Sequence, residues 1–160
     1  MIVQSEENLR VPSEEVTLEE GEEIALLLRK ELSKCHNGVG LSAPQIGINK
    51  RVIILHKDGG ILDLINPKII KLNNPFMNIR EGCLSFPGVW LNTIRYRNVL
   101  VEDDLNGKIQ FSHFASIIVQ HEIDHLNGVL FMDRKAPGPY DNCFCGSGKK
   151  FKFCHQKKMI

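Results

Sequence analysis

Residues 121–125 read His-Glu-Ile-Asp-His, and no other feature of this 160-residue chain constrains it as much. In a helix, positions i and i+4 share a face, so His121 and His125 can hold one metal ion between them. Glu122, one residue further round, stands beside the open position of such a metal. There it can take a proton from water and pass it to a leaving group. The flanking residues predict the helix. Ser112 can cap its start, an apolar run follows, and Asn127-Gly128 offers the left-handed residue on which helices end. The plainer alternative is an amphipathic surface helix that happens to carry two histidines.

Two imidazoles do not complete a metal site. The protease pattern HExxHxxGxxH would place a third ligand at position 131, which is Phe131 here. Beyond the helix the only acidic residues are Asp133 and Asp141, so no glutamate is available downstream. The third ligand is therefore sought upstream. Cys83, in Glu81-Gly82-Cys83-Leu84-Ser85, is the only cysteine between the two helices the sequence predicts. A lone cysteine is more often a small apolar residue. Beside a histidine pair short of a ligand it is the natural donor.

The first of those two helices is signalled by Thr17-x-x-Glu20, a capping box, and by Ile24, Leu27, Leu28 and Leu32 at helical spacing. It is expected over about 18–35, after a polar, extended lead-in at 1–16. Residues 38–48 are glycine-rich around Pro44, which suits backbone held close to a ligand or an ordinary loop. Short strands are expected at 51–56, 61–66, 68–72, 89–96, 99–104 and 108–111. Asp58-Gly59-Gly60 marks one hairpin, and Asn106-Gly107 another of type I′. This order predicts an α+β fold, with antiparallel sheets packed around a central HExxH helix that binds metal.

The apolar content, 42%, supports a real core. The net charge of +1 by itself implies no polyanionic partner, but it is unevenly spread, because residues 142–160 carry five lysines and no acid; neither a membrane nor specific DNA is expected. From the polar start no signal peptide is expected, and the odd cysteine count suits a reducing compartment. The domain expectation is a catalytic unit at 1–136, a Pro-Gly-Pro linker at 137–141 and a metal-binding tail at 142–160. In that tail Cys143, Cys145, Cys154 and His155 supply four zinc ligands, enough for a closed tetrahedral knuckle. So short a segment builds no core, and metal binding would provide its folding energy. The alternative is a disordered basic tail with exposed thiols. The segment resembles the SEC-C motif, known elsewhere as a docking module. Its lysines and aromatic residues suggest the ribosome as partner, with another protein or free RNA left open.

Three segments carry a wider resemblance. Gly38-Val39-Gly40-Leu41-Ser42-Ala43-Pro44-Gln45, Glu81-Gly82-Cys83-Leu84-Ser85 and Gln120-His121-Glu122-Ile123-Asp124-His125-Leu126 resemble, in order and spacing, the three signature motifs of peptide deformylases. The resemblance covers about residues 5–135. It implies a hydrolase that removes formyl from N-formylmethionyl nascent chains and releases formate. It implies one metal, usually Fe(II), with Ni, Co or Zn as substitutes, held by Cys83, His121 and His125. Glu122 would be the proton carrier. Gln45, through its amide, and Leu84, through its backbone N–H, would hold the oxyanion. Gly40 would align the peptide as an added strand. Ile117 and Ile118, four and three residues before His121, share its helical face, and with Val39, Ile79 and Phe86 they could line a slot for the methionine or else be core residues. A bacterial cytoplasm, or a phage gene acting in one, is the expected setting, with an organelle as the less favoured alternative. Ser42 departs from the family's usual alanine, and Trp90 stands where many members carry a basic residue. The usual C-terminal helix is missing. A hydrolase for another acylated amine and a non-enzymatic metal-dependent binding protein are the competing readings.

Overall fold

The computed structural model describes residues 1–158. The lead-in is not wholly extended. Ser5 caps a one-turn helix, α1 (Glu6–Leu9), which buries Leu9 in the body. Helix α2 (Leu18–Leu32) starts where Thr17 Oγ1 accepts the N–H of Glu20 at 3.2 Å. It turns Ile24, Ala25, Leu28 and Leu32 inward and stops three residues before the expected end.

The glycine-rich stretch is ordered structure and not an open loop. Gly40–Ser42 is strand β1, and Ala43–Ile46 is a 3-10 turn closed by Gly47 at φ 84°. Strands β2 (Val52–Lys57) and β3 (Gly60–Ile65) complete a sheet in the antiparallel order β1-β2-β3. Asp58 and Gly59 join them at φ 51° and 82°, the two positive angles that a type I′ turn demands.

The short runs expected after residue 67 merge into two long strands, β4 (Lys68–Cys83) and β5 (Phe86–Asp103). Asn73-Asn74-Pro75 does not interrupt the ladder, because Asn74 takes φ 59° while Asn73 pairs with Asn98 and Pro75 with Tyr96. The chain reverses at Leu84-Ser85, before Pro87-Gly88, with Cys83 paired to Phe86. Strand β6 (Gly107–Ser112) pairs only with residues 98–103 of β5. The connecting loop spans 104–106, with Gly107 at φ 74°, so it is longer than the two-residue turn expected. The Asp103 carboxylate explains it by accepting the N–H groups of Leu105 and Asn106 at 2.9 and 3.2 Å.

Helix α3 (His113–Leu126) follows directly and lies against both sheets, touching β1, β2, β5 and β6. Its Ile118, Val119, Ile123 and Leu126 pack with Ile53, Leu55, Leu64, Val99, Val101 and Phe111. Each such buried side chain is worth roughly 1.5–3 kcal/mol. The helix ends as expected, at Asn127 and then Gly128 with φ 70°. After a 3-10 turn at Phe131–Arg134 the chain returns to β5, where Ala136 N–H donates to Asn92 O at 2.7 Å. The tail then forms a small unit with one short helix, α4 (Phe151–Cys154). Its Cys143 and Phe151 are buried against Met77 and Ile94 of the long strands.

Candidate metal centre

Helix α3 presents His121 and His125 one turn apart on the face toward the β4–β5 turn, which presents Cys83. The three donor atoms lie within 4.8 Å of one another, and Cys83 Sγ is 3.3 Å from His125 Nε2. Two bulges in the β4–β5 pairing, between Asn78 and Glu81 and between Glu81 and Cys83, set the turn at this angle. One thiolate and two imidazoles suit a borderline-soft divalent cation.

Glu122 is buried, and its Oε2 has no hydrogen-bond partner. Burial pushes its carboxyl up to about 7, against the pull of His121. It packs on Gly40, where an added Cβ would come within 2.9 Å of Glu122 Oε1 and 2.7 Å of Ile118 Cγ2. No bulkier residue fits there without moving the carboxylate. Gly40→Ala is therefore expected to lower stability by about 1–3 kcal/mol, as overpacking does. It should also lower catalytic turnover, which urea melts and steady-state rates on one sample would show.

Gln45 reaches the same sulfur, with Nε2 3.6 Å from Cys83 Sγ and 3.2 Å from Ser85 Oγ. Its Oε1 accepts from both the N–H and the hydroxyl of Ser42, each at 3.0 Å. The hydroxyl that departs from the usual alanine thus adds a second bond that turns the amide N–H groups toward the cluster.

Several residues that reading the sequence passed over hold this site together. Glu81 Oε1 lies 2.7 Å from His121 Nδ1 and fixes that ring. Arg95, fully buried on β5, donates Nε to Glu81 Oε2 at 2.9 Å and Nη1 to Asp124 Oδ2 at 2.6 Å. Thr93 and Asn78 donate to Glu81 Oε2 as well, and Arg134 donates to Asp124. Burial raises the Glu81 carboxyl, but bonds from Arg95 and His121 outweigh it and hold the group below the ordinary carboxylate range. Burial and then His121 keep His125 well below the ordinary imidazole value, whereas Cys83 and Glu81 raise His121 well above it against burial. Phe131, at the position of the absent protease ligand, is a buried wall whose ring is 6.1 Å from those of His121 and Phe86.

The expected slot residues are not all together. Ile118 is buried beside Gly40, and Phe86 is half-buried against Phe131. Val39 and Ile79 are exposed on the surface. Ile117 lines a separate groove of about 300 Å³ with Phe76, Arg97 and His113. Leu84 packs partly into the α2 cluster. Trp90 lies across Gly82, where an added Cβ would meet its ring at 2.5 Å, with Arg80 stacked 5.5 Å from the ring centre.

In the tail, Cys143, Cys145, Cys154 and His155 bring their donor atoms within 4.8 Å of one another. Cys145 Sγ is 3.5 Å from Cys154 Sγ, and His155 Nδ1 is 3.2 Å from the sulfurs of Cys143 and Cys154. Three sulfurs and one ring nitrogen are a donor set that suits zinc.

An antiparallel α+β frame with an HExxH helix facing a strand-borne cysteine is the frame of a single-metal hydrolase. The profile of the polypeptide deformylase family matches residues 1–138, and that of the SEC-C motif matches residues 141–157. The chain belongs to the polypeptide deformylase family. It is 43% identical over 124 residues to a peptide deformylase of Picosynechococcus, covering 71% of this chain and 66% of that protein. Peptide deformylase 1 of Vibrio vulnificus is 40% identical over 143 residues, 81% of each chain. The chloroplastic peptide deformylase 1B of rice is 38% identical over 107 residues, 61% of this chain and only 40% of that one. The chain thus spans two thirds or less of the Picosynechococcus and rice relatives. Among solved structures, the Met-Ala-Ser-bound class I type b enzyme of Acinetobacter baumannii superposes with a TM-score of 0.76 at 30% identity, covering 84% of this chain and 96% of that one.

Proposed function

We propose that the chain hydrolyses the N-formyl group of formylmethionyl nascent peptides and releases formate. The observation that carries this reading is the convergence of three groups. They are the Cys83, His121 and His125 donors, the partnerless carboxylate oxygen of Glu122, and the pinned amide of Gln45. When bound, the metal would supply Lewis acidity and activate water for attack; Fe(II) is the ion we expect in the cell, with Ni, Co or Zn able to replace it. Glu122 takes the proton of the attacking water and returns a proton to the departing amine. Gln45, and with it the Leu84 backbone N–H, stabilises the oxygen that gains charge. Losing one such donor costs about 2.7–4 kcal/mol of transition-state stabilisation. The edge at Val39–Gly40 takes the peptide backbone as an added strand.

The decisive test is formate release from formyl-Met-Ala-Ser, using protein purified without oxygen and metals counted on the same sample. Rapid release is expected. No release with the Cys83 site loaded would end this reading in favour of another acyl substrate or a binding role. For the slot, Ile118→Asp is expected to raise KM for formyl-Met peptides by about tenfold or more, since it puts a charge beside Gly40 and Glu122. An unchanged KM would remove Ile118 from the slot.

The tail reads as a zinc knuckle at 142–160, joined to a catalytic unit at 1–136 by a short linker in which Gly138 N–H donates to Asp141 Oδ2 at 2.7 Å. Tyr140 and Phe153 are exposed, with Lys152 Nζ 5.2 and 5.8 Å from their rings. A basic face with open aromatic rings suits RNA, and the ribosome of a bacterial cytoplasm is the partner it would meet beside nascent chains. Lys149→Glu with Lys150→Glu should weaken ribosome cosedimentation and its salt dependence while formate release stays intact. Unchanged cosedimentation would reject this partner.

A further inference from the structure

The tail is fastened to the strands that carry Cys83. Among the described residues its own interior is Cys143 and Phe151 with the partly buried Cys154, so it completes a core by taking Met77 of β4 and Ile94 of β5, which are cross-strand partners. Side chains alternate along a strand. Ile94 points to the tail, while Thr93 and Arg95 on either side of it are buried and donate to Glu81. Met77 likewise precedes Asn78, whose Nδ2 donates to Glu81 Oε2 at 3.1 Å. The two residues the tail grips are therefore chain neighbours of three of the four groups that hold Glu81, the fourth being His121.

This stretch of sheet needs such support. β6 stops at the pair with Asn98, and beyond it β4 and β5 continue as a two-stranded ribbon with two bulges. Two-stranded ribbons are marginal in water unless something packs on them. Helix α3 covers the Glu81 face, the tail covers the Met77–Ile94 face, and residues 135–136 occupy part of the edge that β6 leaves open.

We propose that the tail is a metal-dependent brace for the catalytic sheet. With its own cation bound, it holds β4 and β5 in the register that presents Glu81 and Cys83 to α3. The inference rests on the two metal sites proposed above. Without its cation the tail has too little core to stay folded, and Met77 and Ile94 lose their cover. The bulged segment 78–83 then loosens, and with it the aim of His121 and the hold of Cys83.

The test uses the full-length chain with Cys145→Ser, which removes an exposed ligand and leaves the packed surface intact. Metal content is counted first, so that a parent chain lacking a tail cation would overturn the brace while leaving the Cys83 site to be judged by formate release. Amide exchange at 74–83 and 91–97 is then compared with the parent, together with chelator-driven loss of metal from the Cys83 site. The variant should lose its tail cation, exchange these amides about tenfold faster and release the other metal about tenfold faster. Cys145→His, which keeps four donors, should restore both rates. Met77→Ala should quicken both with the tail cation still in place. Loss of the tail cation with both rates within about twofold of the parent would overturn the proposal.

Discussion

Glu122→Ala is expected to lower formate release by about 10²–10⁴-fold, the usual worth of a positioned proton carrier. The loss should fall on turnover, with KM and the metal content of the Cys83 site little changed. Stability should not fall with activity. The carboxylate is buried, one of its oxygens has no partner, and its neighbours include the side chain of Ile118 across Gly40. A polar group held without a full set of partners is a cost to the folded state, so its removal is expected to leave the melting temperature unchanged or higher. Gain of stability with loss of rate would mark the residue as placed for chemistry. Activity within about tenfold of the parent would assign proton transfer elsewhere.

Arg95→Met is expected to have the opposite character and to damage the fold first. Arg95 bonds two carboxylates, Glu81 and Asp124, in a site almost closed to solvent. Removing only the cation leaves both acids buried and short of charge, which costs about 3–5 kcal/mol where one buried pair is broken. Arg134 still bonds Asp124 from the surface, so the larger deficit falls on Glu81. Glu81 also orients His121, so the affinity of the Cys83 site for metal should fall about 10–100-fold. Denaturant titration and competition with a metal indicator measure the two losses separately. A well-folded variant with parental metal affinity would show that the network adds neither stability nor aim.

The two histidines could be placed on one helical face from sequence because the local signals agree, from the apolar run before them to Gly128 after them. Arg95 could not. A single arginine in an alternating strand reads as a solvent-facing residue, and only the meeting of β4, β5 and α3 supplies the two acids that bury it. The long strands were hidden for a related reason. Asn73-Asn74-Pro75 carries turn chemistry, yet one left-handed residue, Asn74, lets the ladder pass through it. That Cys143, Cys145, Cys154 and His155 of the tail would come together was legible from their spacing. Its seat was not, because Met77 and Ile94 bear no mark beyond being apolar. Val39, Ile79 and Ile117 show the limit for the substrate slot, since the two exposed side chains and the one in a separate groove share no common lining that spacing alone could define.

The hydrogen bond of Gln45 to Cys83 links residues 38 apart, and Cys83 meets His125 across 42. None of the three motifs can therefore work as a local fragment. A ribosome would deliver Cys83 long before His125, and the two histidines alone make a poor chelate. Capture of the catalytic ion must wait until the sheet and the helix have docked. Loading is thus a late event in the chain's life, and an incomplete or truncated copy would leave the cell's supply of the ion untouched.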